Sequence, residues 1–285
     1  VDPPTTGAPA ATTAVEPVRG LQVRPAAHPG PASIGSRDTE SGYKMEVQLS
    51  AWSAAVKRIV LTDFSKHAKG DEPYVVHDTL RAKGHELIDG AWRMVEYLVR
   101  PYAARSITVN GQNIDLQGHE QETQQQIWDL VEASPDHATY RLTLETEEGE
   151  PVSEVLRTYR IEPDSYDLWI EQRFTNLGSQ PLQIGWAQFA QGDTMDDPGA
   201  YLGDRRMFLS GYFDPQYDPN RLDIYTDHAL VSRLDLIQKK GRSLWPNRKL
   251  GTDMRLAWLG SENRYFAVVT HALITGDITA TEDVP

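Results

Sequence analysis

Thr139-Tyr-Arg-Leu-Thr-Leu-Glu-Thr146, Glu147-Glu-Gly-Glu-Pro151 and Val152-Ser-Glu-Val-Leu-Arg-Thr-Tyr-Arg-Ile161 decide the fold class of this chain. In both longer runs apolar and polar residues alternate, the period-two pattern of a strand with one buried face. The residues between them leave room only for a tight reversal, so the two strands pair antiparallel. Pro163-Asp164 then turns the chain into Leu168 to Asn176, and Gly178 to Pro181 turns it into Leu182 to Phe189. Together these runs predict a four-strand meander.

The same pattern extends outward. Tyr43, Met45, Val47 and Leu49 alternate with polar residues, and Val56 to Leu61 and Met94 to Val99 read alike. Ser106 to Val109 and Gln112 to Leu116 flank Asn110-Gly111, a pair suited to the two positive φ angles of a type I′ hairpin turn. Met254 to Leu259 and Tyr265 to Thr270 predict a late hairpin turning at Gly260-Ser261-Glu262-Asn263. Gln121 to Glu132 fits either regular structure, and no long capped helical period occurs elsewhere. The expectation is an all-β, antiparallel sandwich or supersandwich with few or no helices.

Residues 1–41 differ in kind. They are rich in Pro, Ala, Thr and Gly, with sparse, aperiodic aliphatics, and they read as a disordered linker preceding a β domain over 42–285. Such a segment has little apolar area to offset an ordering entropy of roughly 1–2 kcal/mol per residue. The chain has 285 residues, no cysteine and a net charge of -13. Disulfides, thiol nucleophiles and thiolate metal sites are thereby excluded. The acidic balance argues against a nucleic-acid partner, which needs clustered Lys and Arg. No apolar run is long enough to span a bilayer. The first residues lack the charged start and apolar block of a signal peptide, so the sequence reads as a mature piece of a longer protein.

Three stretches carry a family resemblance. Leu156-Arg-Thr-Tyr-Arg-Ile-Glu-Pro-Asp-Ser-Tyr-Asp-Leu-Trp-Ile170, followed by Phe174-Thr-Asn176 and Pro181-Leu-Gln-Ile184, resembles the large periplasmic domain of YidC-type membrane protein insertases. Trp258-Leu-Gly-Ser-Glu-Asn-Arg-Tyr-Phe266 is similar to a second hallmark of that family, and Val47 to Leu61 to a third. There Ala54-Ala55 stand where the family shows a glycine pair. The resemblance implies a galactose-mutarotase-like β supersandwich without enzymatic activity or cofactor, in the periplasm, on a bacterial inner-membrane protein. It implies tethering by membrane segments outside this sequence, and as partners the SecD–SecF accessory of the Sec translocon and, through the whole insertase, nascent membrane proteins. Members of the family continue past the stretch matched here. The sandwich is therefore expected to end short of its last strands, with an unpaired edge.

The same supersandwich occurs in aldose epimerases, so carbohydrate binding or epimerisation is the alternative. That chemistry needs a His acid and a carboxylate base converging on a sugar. The strand that would carry the His, Ile184-Gly-Trp-Ala-Gln-Phe-Ala190, has none, and Trp186 reads as core. His77 and His85 are wrongly spaced for a shared metal on a strand or a helix. His119, His137 and His228, each beside a carboxylate, read as solvated loop pairs, and His271 as a surface strand end. Asp193, Asp196 and Asp197 before Gly199 read as a solvated turn rather than a calcium loop. Glu145, Glu147, Glu148 and Glu150 crowd a turn tip, where nothing separates their pKa values. No catalytic, cofactor or metal residue is expected. One basic cluster stands out: Lys239, Lys240, Arg242, Arg248 and Lys249 around Trp245. It reads first as a solvated loop with a capping Trp, and functionally as a contact for anionic lipid headgroups or an acidic partner.

Overall fold

A computed structural model of the chain describes residues 20–66, 70–88, 91–116, 127–192, 194, 206–213, 224–230 and 255–272. The strands begin with β1 (Gln22–Val23), β2 (Ala32–Gly35), β3 (Met45–Ser50), β4 (Ala55–Ser65), β5 (Pro73–Asp78), β6 (Leu80–Ile88), β7 (Ala91–Val99), β8 (Ala104–Val109) and β9 (Gln112–Asp115). They continue with β10 (Asp129–Ala133), β11 (His137–Glu145), β12 (Pro151–Arg160), β13 (Trp169–Asn176), β14 (Ile184–Gln188), β15 (Met207–Phe213), β16 (Ile224–Leu230), β17 (Arg255–Glu262) and β18 (Ala267–His271). A single short 3-10 turn, Thr39–Ser41, is the helical element among the described residues. None of these residues forms a helix long and apolar enough to cross a membrane.

Every pairing between these strands is antiparallel, as the alternation predicts. One sheet runs β1-β11-β12-β13, with β10 also on β11; a second runs β2-β3-β4-β5, a third β14-β8-β9, and a fourth β16-β15-β17-β18. A single core joins the first three, drawing on Val47, Leu49 and Val56, on Ile107 and Val109, and on Tyr140, Leu142, Leu144, Val155 and Tyr159. Trp128, fully buried just before β10, belongs to it. Alternation maps onto burial residue by residue: in β11, Ala138, Tyr140, Leu142 and Leu144 face in while Thr139, Arg141 and Thr143 do not. The all-β antiparallel sandwich expected from the sequence is the architecture found.

At the predicted type I′ turn, Asn110 has φ 47° and Gly111 φ 85°, and Val109 pairs with Gln112 across it. Close approach rather than a turn explains Gly211 in β15. It lies opposite Trp258, and a Cβ there would sit 2.0 Å from the Trp258 Nε1.

Three expectations need correction. The folded part begins by Leu21, not after residue 41. Leu21, Val23 and Ile34 are buried, Ile34 pairs with Val47, and the Gly35 amide donates to the Pro135 carbonyl at 2.6 Å. Sparse aliphatics suffice because the apolar surface they cover comes from strands distant in sequence. Residues 1–19 lie outside the described residues. Next, the meander has three strands, for β14 leaves β13 and pairs with β8. Asn110 directs it there: its Oδ1 accepts from the Gln183 amide at 2.7 Å and its own amide donates to the Gln183 carbonyl at 2.9 Å. Finally, the late hairpin turns at Asn263 to Tyr265, because β17 continues through Gly260-Ser261-Glu262. There the Asn263 Oδ1 accepts from the Tyr265 and Phe266 amides, both at 2.9 Å.

The ambiguous stretch ends as strand β10. The position where the resembled family shows glycine is strained here. Ser53 and Ala54 have φ 51° and 40° and are both buried, so the left-handed pair falls one residue earlier than Ala54-Ala55. Such φ values favour glycine.

Candidate functional site

Strand β12 places Ser153, Val155, Arg157 and Tyr159 on its inward face. Period two therefore puts an arginine in the core between a valine and a tyrosine. Arg157 has 0% exposure, and its cross-strand neighbours are Tyr140 and Gln172. Among the described residues no carboxylate pairs with it. Its guanidinium carbon lies 5.4 Å from the centre of the Tyr159 ring, a desolvated cation–π contact. Its Nη2 donates to the Gln188 Oε1 at 3.1 Å, while Nε and Nη1 are buried without a hydrogen-bond partner among the described residues.

That Gln188 oxygen is a meeting point. It also accepts from the Gln172 Nε2 and from the Trp186 Nε1, both at 3.2 Å. Donors from β12, β13 and β14 thus converge on one oxygen, across the junction between the first and third sheets. Gln188 itself is exposed, so a surface side chain covers a buried cation. Trp186 packs edge-on against Trp128, centroids 6.4 Å apart, and against Phe174 at 5.6 Å. On the other side Tyr102 bonds through its hydroxyl to the Thr270 Oγ1 at 2.9 Å, tying β18 to the same region.

The electrostatics follow from burial. Desolvation pushes the Arg157 pKa down, opposed by the phenols of Tyr159 and Tyr102. Desolvation raises the Tyr159 phenol to about 12 despite the cation beside it, and its hydroxyl donates to the Ala54 carbonyl. Tyr102 is raised for the same first reason, against its bond to Thr270. These phenols stay neutral near pH 7, so the cluster offers hydrogen-bond donors and one cation rather than an acid–base pair.

A second feature lies on the surface. Phe64 at the end of β4, Tyr166 in the β12–β13 loop and Tyr265 in the β17–β18 turn are exposed, and Phe266 and Tyr74 lie half-buried among them. Phe64 meets Phe266 edge-on at 5.0 Å and Tyr166 at 6.3 Å, and Tyr74 lies 4.4 Å from Phe266. Charge rims the group: Lys44 bridges Asp63 at 2.9 Å and Asp164 at 3.5 Å. Hydrogen bonding to Asp63 holds the Lys44 pKa up and the Asp63 pKa down.

Lys239, Lys240, Arg242, Trp245, Arg248 and Lys249 lie outside the described residues, as do His119, Asp193, Asp196, Asp197 and Gly199. His77 is buried in β5, whereas His85 falls in a different strand, β6. His228 falls in β16, and His271 ends β18 exposed. His137 is half-buried, with Nδ1 3.0 Å from Asp136 and Nε2 3.2 Å from Glu132. Of the four glutamates assigned to the turn tip, Glu145 is instead buried and paired with the Arg24 Nε at 2.5 Å. Among the described residues, no three His, Asp or Glu side chains gather as metal ligands would. The arginine site escaped the sequence reading, although its signal was present: Arg157 shares the parity of Val155, Tyr159 and Ile161.

No family model matches the chain, and no curated protein matches it. Among solved structures, it is similar to the crystal structure of the GalM/aldose epimerase homologue from C. elegans. That match has 13% identity, covers 82% of this chain and 75% of the other, and has a TM-score of 0.37. A likeness this loose decides nothing about ligand or activity.

Proposed function

We propose that the chain is the non-catalytic periplasmic domain of a YidC-type insertase of the bacterial inner membrane, serving as scaffold and partner-interaction module. Insertion itself would belong to membrane segments outside this sequence. The resemblance of 156–184 and 258–266 motivates the reading, and the exposed aromatic group around Phe64 and Phe266 is the observation that carries it. Contiguous aromatic surface rimmed by polar groups marks protein contact sites. Four separate segments converge to build it, with Phe64, Tyr166 and Tyr265 exposed. A carbohydrate-binding or epimerase role is the competing reading. Against it, the strand where an epimerase would present its acid carries Trp186, seated edge-on against Trp128 and Phe174.

The test is binding of the chain to purified periplasmic regions of SecD–SecF. A Phe64→Ser, Tyr166→Ser double variant should weaken binding at least about ten-fold, since truncated aromatic anchors cost on the order of 1–2 kcal/mol each. Failure of the intact chain to bind, or accelerated interconversion of aldose anomers by it, overturns the reading.

A further inference from the structure

Three donors around Arg157 share one acceptor, while a second acceptor beside them, the buried Oε1 of Gln172, has no hydrogen-bond partner among the described residues. Nη2 of Arg157, Nε2 of Gln172 and Nε1 of Trp186 all point at the single Oε1 of Gln188, at 3.1, 3.2 and 3.2 Å. Among the described residues, Nε and Nη1 of Arg157 and the buried Nε1 of Trp128 have no hydrogen-bond partner. A guanidinium binds a carboxylate through two neighbouring N–H groups. The Gln188 oxygen occupies one N–H of Nη2, where one oxygen of a bidentate anion would sit.

Gln188 is also the removable part. It lies exposed at the end of β14, whereas Arg157 is buried on β12, flanked in its sheet by β11 and β13. Gln188 is the exposed member of the cluster, so of the groups bonded to Arg157 it is the one that can move without shifting a buried side chain. A group taking that place meets three converging donors beside the edge-on pair of Trp186 and Phe174, whose centroids lie 5.6 Å apart.

We propose that this cluster is a carboxylate-binding site in which the Gln188 carboxamide oxygen stands in for a ligand oxygen and yields to it. Charge selects the class. A monoanion neutralises the single buried cation, whereas a dianion such as sulfate leaves a net charge in a low-dielectric setting. The aromatic walls favour a carboxylate carried on a planar apolar body. This inference stands apart from the insertase reading and would survive its loss.

Benzoate is the probe, with sulfate as the competing anion and chloride holding ionic strength constant. The Arg157 Nε–H resonance of the intact chain should move on benzoate titration. Gln188→Ala should bind benzoate at least about ten-fold more tightly than the parent, the equivalent of one hydrogen bond to a charged group no longer displaced. Its Tm should rise with benzoate, and Arg157→Met in the same background should abolish that rise. An immobile Nε–H resonance overturns the proposal. So does a benzoate response that survives Arg157→Met, or a sulfate response exceeding that of benzoate.

Discussion

Replacing Arg157 by methionine tests whether the core tolerates its cation at a cost. The side chain is wholly buried and, among the described residues, makes one hydrogen bond and leaves two nitrogens unpartnered. Removing it forfeits the bond to Gln188, about 1.5–3 kcal/mol for a charged donor. It also forfeits a desolvated cation–π contact worth about 2 kcal/mol, of which a thioether over the Tyr159 ring restores about 0.3–1.5 kcal/mol. Against this stand the desolvation of the cation, several kcal/mol even after relaxation, and roughly 1–3 kcal/mol for each polar group left without a partner. The balance favours Arg157→Met by on the order of 1–4 kcal/mol, the range found when buried ions give way to apolar residues of similar volume. Urea denaturation reads it as a higher midpoint at unchanged slope. Heating reads it as roughly 2–4 °C per kcal/mol for a domain of this size. Loss of more than about 2 kcal/mol on substitution would refute the reasoning, because it would mean that the guanidinium is fully compensated where it lies. Arg157→Ala is the contrast: it leaves a cavity and should destabilise.

Asn110→Ala should cost about 1–3 kcal/mol, since it removes the acceptor of the Gln183 amide and forces alanine to φ 47°; chemical denaturation checks this, and an unchanged midpoint would mean that β14 finds β8 without it. His137 should titrate above its ordinary 6.5, because hydrogen bonds to Asp136 first and then Glu132 favour the imidazolium. Its contribution to stability is complete below the unfolded value near 6.5 and fades as pH rises through the folded one. Asp136, lowered by Ser134 and then His137, behaves oppositely: its contribution holds above its ordinary 3.8 and is lost as pH falls through the folded value. The stability difference between the parent and His137→Gln should therefore shrink as pH rises past neutrality, and an NMR midpoint for His137 at or below 6.5 contradicts the assignment.

Particular residues show how far the sequence could be read. The alternation of Tyr140, Leu142 and Leu144, and of Val155, Tyr159 and Ile161, places those side chains in the core as the structure has them. Asn110-Gly111 announces its turn because only certain residues adopt two successive positive φ angles at low cost. The destination of β14 was not legible. A Gly-Ser-Gln-Pro turn allows return to β13 or passage to β8, and the choice rests on a side chain of Asn110 more than seventy residues earlier. The strands β1 and β2 were hidden for a related reason, since the surfaces that bury Val23 and Ile34 belong to β11 and β3.

Strand periodicity, tight-turn chemistry and the absence of cysteine are local properties, and the amino-acid order alone fixes them: an antiparallel β protein without disulfides. The tertiary structure decided which strand neighbours which, and it alone brought Arg157, Gln172, Trp186 and Gln188 around one oxygen. Local patterning sets which face of a strand is apolar, but it carries no information about which distant face will cover it. A buried cation beneath an exposed amide exists only after that covering has been chosen.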